Sequence, residues 1–230
     1  MQQYFVSEKL DINKTISLNE DIVFHLSKVL RNSEKEFRLV DINGDVYLAN
    51  LNGNIATIFD KINENNELVC NTTALICLIK QDKFEMILQK LCELGINKII
   101  PVNSAYSQDL IFTENRVTRF NKIIKEACEQ SHRNFLPILE NPVNFEDVIK
   151  YKSDLNIVPY EKSSSKCLDS LKSNSISFII GPEGGFKKEE VEYLIKNNFK
   201  EISLGKRILR AETAAISMMS YILKDNQWKP

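Results

Sequence analysis

Cysteine pairing is the first thing missing from this 230-residue chain. The five cysteines, Cys70, Cys77, Cys92, Cys128 and Cys167, are odd in number and include no C-x-x-C pair. That argues against a disulfide framework and a zinc site, and for a reducing compartment. Histidine is scarce: His25 and His132 are the only two, neither beside a cysteine or carboxylate constellation, so no metal is expected. Long apolar runs are absent as well. Residues 75–79 and 178–180 are strand-sized, far short of the roughly 20 residues that span a bilayer. Met1-Gln2-Gln3-Tyr4-Phe5-Val6 has no basic stretch leading into an apolar run, so no signal peptide is expected. These absences predict a cytoplasmic protein without membrane contact. There is no basic excess: 30 Lys and Arg against 31 Asp and Glu leave a net charge of -1. Any nucleic-acid contact must come from local patches. No internal repeat is visible, and Ser163-Ser164-Ser165, the one approach to low complexity, reads as a loop.

What is present is an ordinary composition, 43% hydrophobic and 27% charged, in a length that allows one or two domains. A chain this long needs no covalent staples. Residues 21–30 predict a short helix with Val23, Leu26, Val29 and Leu30 on one face. Strand-like segments follow at 36–42, 46–51, 55–62 and 68–70. Asn43-Gly44 and Asn52-Gly53 offer the positive φ angles of tight hairpins. The pattern predicts a small antiparallel barrel over residues 1–72.

From Asn71-Thr72-Thr73 onward strands alternate with helices. Strands are predicted at 75–79, 98–102, 136–139, 155–158, 177–180 and 202–204. Helices are predicted from Asp82 to Gly95 and over 114–131, 187–197 and 212–223. Asp82 reads as an N-cap with Glu85 completing a capping box, and Phe84, Ile87, Leu88, Leu91 and Leu94 form the stripe behind it. Val117, Phe120, Ile123, Ile124, Ala127 and Cys128 form the next one. Cys92 and Cys128 fall on such faces and read as packing. The alternation predicts an α/β domain over residues 73–230, its parallel sheet covered on both faces.

Two turns stand out near the carboxyl end. Ser177 to Ile180 runs into Gly181-Pro182-Glu183-Gly184-Gly185-Phe186, and a later strand runs into Leu204-Gly205-Lys206-Arg207-Ile208-Leu209-Arg210-Ala211-Glu212-Thr213-Ala214. Alone, the first reads as a tight turn set by Pro182 and the glycines. It lacks the G-x-x-x-x-G-K-[ST] of a phosphate loop and the G-x-G-x-x-G of a dinucleotide fold. What remains is a turn whose glycines let a ligand approach the backbone closely. In the second turn Lys206, Arg207 and Arg210 crowd beside Ile208 and Leu209. Apolar groups with free backbone suit a flat uncharged ring, and the cations suit a carboxylate or an RNA phosphate.

This pair of motifs, in this order and at this spacing, resembles the RsmE family, which methylates N3 of a uridine in 16S ribosomal RNA. His25-Leu26-Ser27-Lys28-Val29-Leu30-Arg31, Gln89-Lys90-Leu91-Cys92-Glu93-Leu94-Gly95 and Glu126-Ala127-Cys128-Glu129-Gln130-Ser131-His132-Arg133 agree with it. The resemblance covers nearly the whole chain. It implies a C-terminal SPOUT α/β domain with a trefoil knot, preceded by a small PUA-like β-barrel. It further implies S-adenosyl-L-methionine as cofactor, 16S rRNA in the small ribosomal subunit as partner, and a homodimer. Two departures are visible: Gln3 and Ala105-Tyr106-Ser107 stand where the family usually has arginines.

Carried over residue by residue, the resemblance implies a cofactor pocket of three loops. The first includes Pro159 and Glu161. The second holds Gly181, Pro182, Glu183, Gly184 and Gly185. The third holds Leu204, Gly205, Ile208, Leu209, Arg210, Thr213 and Ala214. Uridine N3 carries a proton and needs a base or a stabilising cation before it can attack. Glu183 and Glu212 are the carboxylates nearest the pocket loops and Arg210 the best cation. Glu212 equally reads as a cap of the last helix or a partner of Arg207 or Arg210. Lys28, Arg31, Lys90, Gln130 and Arg133 are the RNA candidates. Arg116, Arg119, Lys122 and Lys125 interleave with Glu114, Glu126 and Glu129 and read better as a salt-bridged solvated face. Two other functions fit the same residues: methylation of ribose 2'-OH or another RNA base, and a catalytically silent RNA-binding protein.

Overall fold

Both Asn-Gly turns do what the sequence asks of them: Gly44 (φ +79°) and Gly53 (φ +64°) take the left-handed region. The computed structural model describes residues 1–29, 36–163 and 170–226, with the side chains of Lys28 and Val29 left aside. Leu30, Arg31, Ser164, Ser165 and Cys167 lie outside the described residues.

Strands β1 (Gln3–Phe5), β2 (Thr15–Ser17), β3 (Glu36–Val40), β4 (Val46–Asn52) and β5 (Ile55–Ile62) form a separate curled sheet in the order β1-β3-β4-β5-β2. The β1–β3 pair is parallel and the other pairs are antiparallel. Alternation puts Phe37, Leu39, Tyr47, Ala49 and Ile58 in its core, with Leu10 and Ile22 packed in the same cluster. The predicted helix begins at α1 (Glu20–Phe24), capped by Asn19, whose Oδ1 accepts from Ile22 N at 2.9 Å. It widens into a π turn, His25–Val29, where Ser27 Oγ donates to Val23 O at 2.6 Å.

The second sheet contains β6 (Asn71–Cys77), β7 (Lys98–Asn103), β8 (Ile138–Leu139), β9 (Val143–Asn144), β10 (Leu155–Pro159), β11 (Ser175–Ile180) and β12 (Lys200–Ile202). Its order is β12-β10-β11-β6-β7-β8, with β9 also on β7, and every pairing is parallel. Helices α2 (Gln81–Glu93), α3 (Glu114–Gln130), α4 (Lys188–Lys196) and α5 (Ala211–Asp225) alternate with the strands. Consecutive residues of β6 and β11 are buried, which requires cover on both faces. Each fully buried Phe or Leu here is worth about 1.5–3 kcal/mol.

Several local expectations change: β6 ends at Cys77 rather than 79, β3 at Val40 rather than 42, and β8 begins at Ile138 rather than 136. The strand expected at 68–70 does not form; pairing starts at Asn71, in register with β11. The helix expected to start on Asp82 has Lys80 as N-cap, without a side-chain cap. Glu85 is drawn elsewhere: Arg119 Nε and Nη2 donate to its two oxygens at 2.6 and 2.7 Å, and Gln81 Nε2 donates at 2.8 Å. A bidentate guanidinium outcompetes a capping contact. The strand expected at 202–204 ends at Ile202.

The chain forms two compact units, Met1–Asn66 with Cys128–Phe135, and Glu67–Ala127 with the chain from Leu136 onward.

Candidate functional site

Strands β12, β10 and β11 are neighbours in the parallel sheet, so their carboxyl ends open at one edge, where open α/β sheets hold ligands. The segments beyond those ends enclose a cavity of about 210 Å³. Pro159, Tyr160 and Glu161 come from the end of β10, Ile180 to Phe186 from β11, and Leu204, Gly205, Arg207, Ile208, Leu209, Ala211 and Ala214 from the approach to α5 and its first turn.

Each loop has a local cause. Tyr160 N donates to Ile202 O at 2.9 Å, carrying the β10–β12 ladder one residue into the loop. Pro182 opens the glycine turn and Gly185 closes it: Gly185 N donates to Pro182 O at 2.9 Å, with φ +73° at Gly185. Gly181 is close-packed. A Cβ there would lie 3.0 Å from the ring of Phe186, which is buried against Phe145 with 6.1 Å between centroids. A Cβ on Gly185 would face Glu161 Oε1 at 3.5 Å. The third loop turns at Gly205 (φ +116°), where Gly205 N donates to Ser203 Oγ at 3.2 Å. Ile208 projects from it, 84% exposed.

The cavity gathers the sequence candidates Pro159, Glu161, Gly181, Pro182, Glu183, Gly184, Gly185, Leu204, Gly205, Ile208, Leu209 and Ala214. Arg210, Glu212 and Thr213 are not among its lining. Arg210 is the exposed N-cap residue of α5, with no side-chain cap of its own, and Thr213 is exposed within its first turn. Glu212 is buried, and its ion-pair partner is Lys83, with Nζ 3.7 Å from Oε1, rather than Arg207 or Arg210. Tyr160, Arg207 and Ala211, which lie inside the expected loops, also line the cavity, as do Ile180 and Phe186, the two residues that flank the glycine turn. Burial pushes the Cys77 thiol up to about 12 and the Cys70 thiol to about 11, so both stay protonated.

Among the RNA candidates, the side chain of Lys28 and all of Arg31 lie outside the described residues. Lys90 is half-buried and pairs with Glu93 at 2.8 Å. Gln130 is exposed at the end of α3. Arg133 is only 2% exposed, and its carbonyl accepts from Gln3 Nε2 at 2.7 Å. The basic face of α3 follows the expectation only in part: Lys122 pairs with Glu126, but Arg119 pairs with Glu85 of α2, Arg116 Nη1 donates to Ile111 O at 2.8 Å, and Glu129 is buried. Among the described residues no group of three or more His, Cys, Asp or Glu could hold a metal ion, and no helix is long and apolar enough to cross a membrane.

Residues 66–223 match the family model described as the RNA methyltransferase domain. Ribosomal RNA small subunit methyltransferase E of Mesomycoplasma hyopneumoniae (strain 232) is 32% identical over 234 residues, covering 98% of this chain and 100% of that protein. The protein of the same name from Bacillus subtilis (strain 168) is 32% identical, covering 96% of each. The crystal structure of ribosomal RNA small subunit methyltransferase E from Neisseria gonorrhoeae bound to S-adenosyl methionine aligns with a TM-score of 0.88 at 29% identity, over 97% of each chain.

Proposed function

This chain belongs to the ribosomal RNA small subunit methyltransferase E family, and we propose that it uses S-adenosylmethionine to methylate N3 of a uridine in 16S ribosomal RNA of the small subunit. The observation that carries this reading is the cavity at the ends of β10, β11 and β12. Its walls are backbone and apolar side chains, with the glutamates Glu161 and Glu183 and the cation Arg207 among them. Bare glycine backbone and the apolar Ile180, Leu204 and Leu209 suit an adenine ring, and carboxylates suit ribose hydroxyls and a sulfonium. The residues therefore fit the cofactor. We read the second unit as a SPOUT domain with a trefoil knot through these loops. We read the first unit as a PUA-like barrel, and the working enzyme as a cytoplasmic homodimer.

The bound cofactor supplies an electrophilic methyl group, and the protein's part is alignment and electrostatics. Glu183 lines the cavity and is exposed, so its carboxylate is assigned the N3 proton of uridine. Arg210, exposed at the mouth of α5, is assigned the anion that forms as that proton leaves. Glu212, anchored by Lys83, holds the first turn of α5 in place behind Arg210. Gln130 and Lys90, with Lys28 and Arg31, are assigned to RNA, while buried Arg133 supports the chain around it.

Purified small subunits from a strain lacking the protein, incubated with labelled S-adenosylmethionine and analysed as nucleosides, should yield 3-methyluridine. Label recovered as a 2'-O-methyl nucleoside or another methylated base would overturn the N3 assignment. Label in no nucleoside, despite cofactor binding, would overturn the methyltransferase reading. Arg210→Ala should lower the rate by roughly 100-fold, the scale of one lost electrostatic donor, with an unchanged melting temperature.

A further inference from the structure

Tyr106 abuts the glycine loop without lining the cavity. An ideal Cβ on Gly184 would lie 3.1 Å from Tyr106 Cβ and 3.5 Å from its Cγ, so the glycine packs tightly against the Tyr106 side chain. Tyr106 is nonetheless 50% exposed. Its turn is tightly fixed. Ser107 N donates to Ser104 O at 3.1 Å, Ser104 N donates to Ser107 Oγ at 2.9 Å, and Ser107 Oγ donates to Val102 O at 3.2 Å. Glu190 ties this turn to the start of α4: Oε1 accepts from Ala105 N and Oε2 from Lys187 N, both at 2.8 Å. Lys187 Nζ lies over the Tyr106 ring, 5.4 Å from its centroid.

A large aromatic residue left half exposed costs hydration free energy, and Tyr106 lies in the turn after β7 rather than in a packed element. What distinguishes it is rigidity, a neighbouring ammonium, and contact with the loop that walls the cavity. An aromatic face beside a cation is how proteins hold unpaired bases: the ring stacks on the base and the cation meets its phosphate. Resting on the reaction proposed above, we propose that Tyr106 and Lys187 form the platform that receives the splayed-out uracil at the mouth of the cavity, Tyr106 by stacking and Lys187 by pairing with the adjoining phosphate. Uridine inside a helix cannot offer N3, which is spent on base pairing, so the enzyme needs a surface that holds the base unpaired.

The test measures kcat/KM on small subunits from the deletion strain, with cofactor Kd by calorimetry and photocrosslinking to subunits carrying 4-thiouridine. Tyr106→Ala should lose about 10- to 100-fold in kcat/KM, the range for one stacked base. Tyr106→Leu, which keeps apolar bulk against Gly184 but has no π-face, should lose as much. Tyr106→Trp should restore the rate to at least about a third of normal. Cofactor Kd should stay within about twofold throughout, and the crosslinked peptide should contain Tyr106. Full activity in Tyr106→Ala, full activity in Tyr106→Leu, or a parallel loss of cofactor affinity would each overturn the platform. Wild-type protein that crosslinks through Tyr106 yet makes no 3-methyluridine supports the platform and overturns the reaction. Normal methylation with crosslinks only elsewhere does the reverse.

Discussion

Glycine at position 181 is demanded by a neighbour rather than by its own backbone, which has no positive φ. The nearest atoms to a Cβ there belong to one ring, Phe186 Cε2, Cδ2 and Cζ at 3.0, 3.1 and 3.3 Å. That ring is wedged against Phe145, itself buried beside Val148 and Val191. The ring also lines the cavity. Gly181→Ala should therefore act on binding more than on folding. Overpacking costs about 1–3 kcal/mol, which in a chain of this size lowers the melting temperature by roughly 2–12 °C. The displaced ring should weaken S-adenosylmethionine by at least about tenfold in calorimetry. Cofactor affinity within twofold of normal would mean that the ring does not border the bound ligand. Gly53 makes the contrast: it has open space around it, and only its φ of +64° calls for glycine.

Element ends carry the next effects. Helix α2 starts on Lys80, whose φ of -53° and ψ of 142° already suit an N-cap, but whose side chain accepts nothing. A cation there also opposes the helix dipole. Lys80→Ser should stabilise the protein by about 0.5–1 kcal/mol and raise the melting temperature by roughly 1–4 °C. Calorimetric melting checks it, and no rise would show that the cap geometry fails in solution. The same helix shows how far sequence reading reaches. Of its stripe, Phe84, Ile87, Leu88 and Leu91 are buried, legible because a 3.6-residue period survives any tertiary context, whereas Leu94 is the half-buried C-cap. Its start was not legible. Glu85 answers to Arg119, 34 residues on, and a partner at that distance leaves no local trace. The site divides in the same way. The glycine turns were legible because strand, turn and helix are adjacent in sequence. The ion pair of buried Glu212 was not, since its partner, Lys83, lies 129 residues earlier.

At the scale of the molecule, the chain leaves the first unit after Asn66 and returns to it for Cys128–Phe135, a detour that no period in the sequence announces. The α3 stripe reads as one continuous helix face through Cys128, yet its last turn belongs to the first unit. A set of polar contacts marks the return. Asn134 Nδ2 donates to Gly44 O at 2.8 Å and to Glu64 O at 2.9 Å, while its Oδ1 accepts from Asn66 N at 2.8 Å. Gln3 Nε2 donates to Arg133 O, and Glu129 Oε1 accepts from Phe5 N at 3.3 Å. Asn134 is buried, so its removal strands backbone groups that water reaches poorly. Each such group costs about 1–3 kcal/mol. Asn134→Ala should therefore raise amide exchange across residues 128–135 and the first sheet by about 10- to 100-fold. The cavity residues all belong to the second unit, so cofactor Kd should stay within about twofold. Exchange confined to the mutated position would show that the return segment is held by something other than Asn134. Loss of cofactor binding with the same variant would show that the two units do not bear separate tasks.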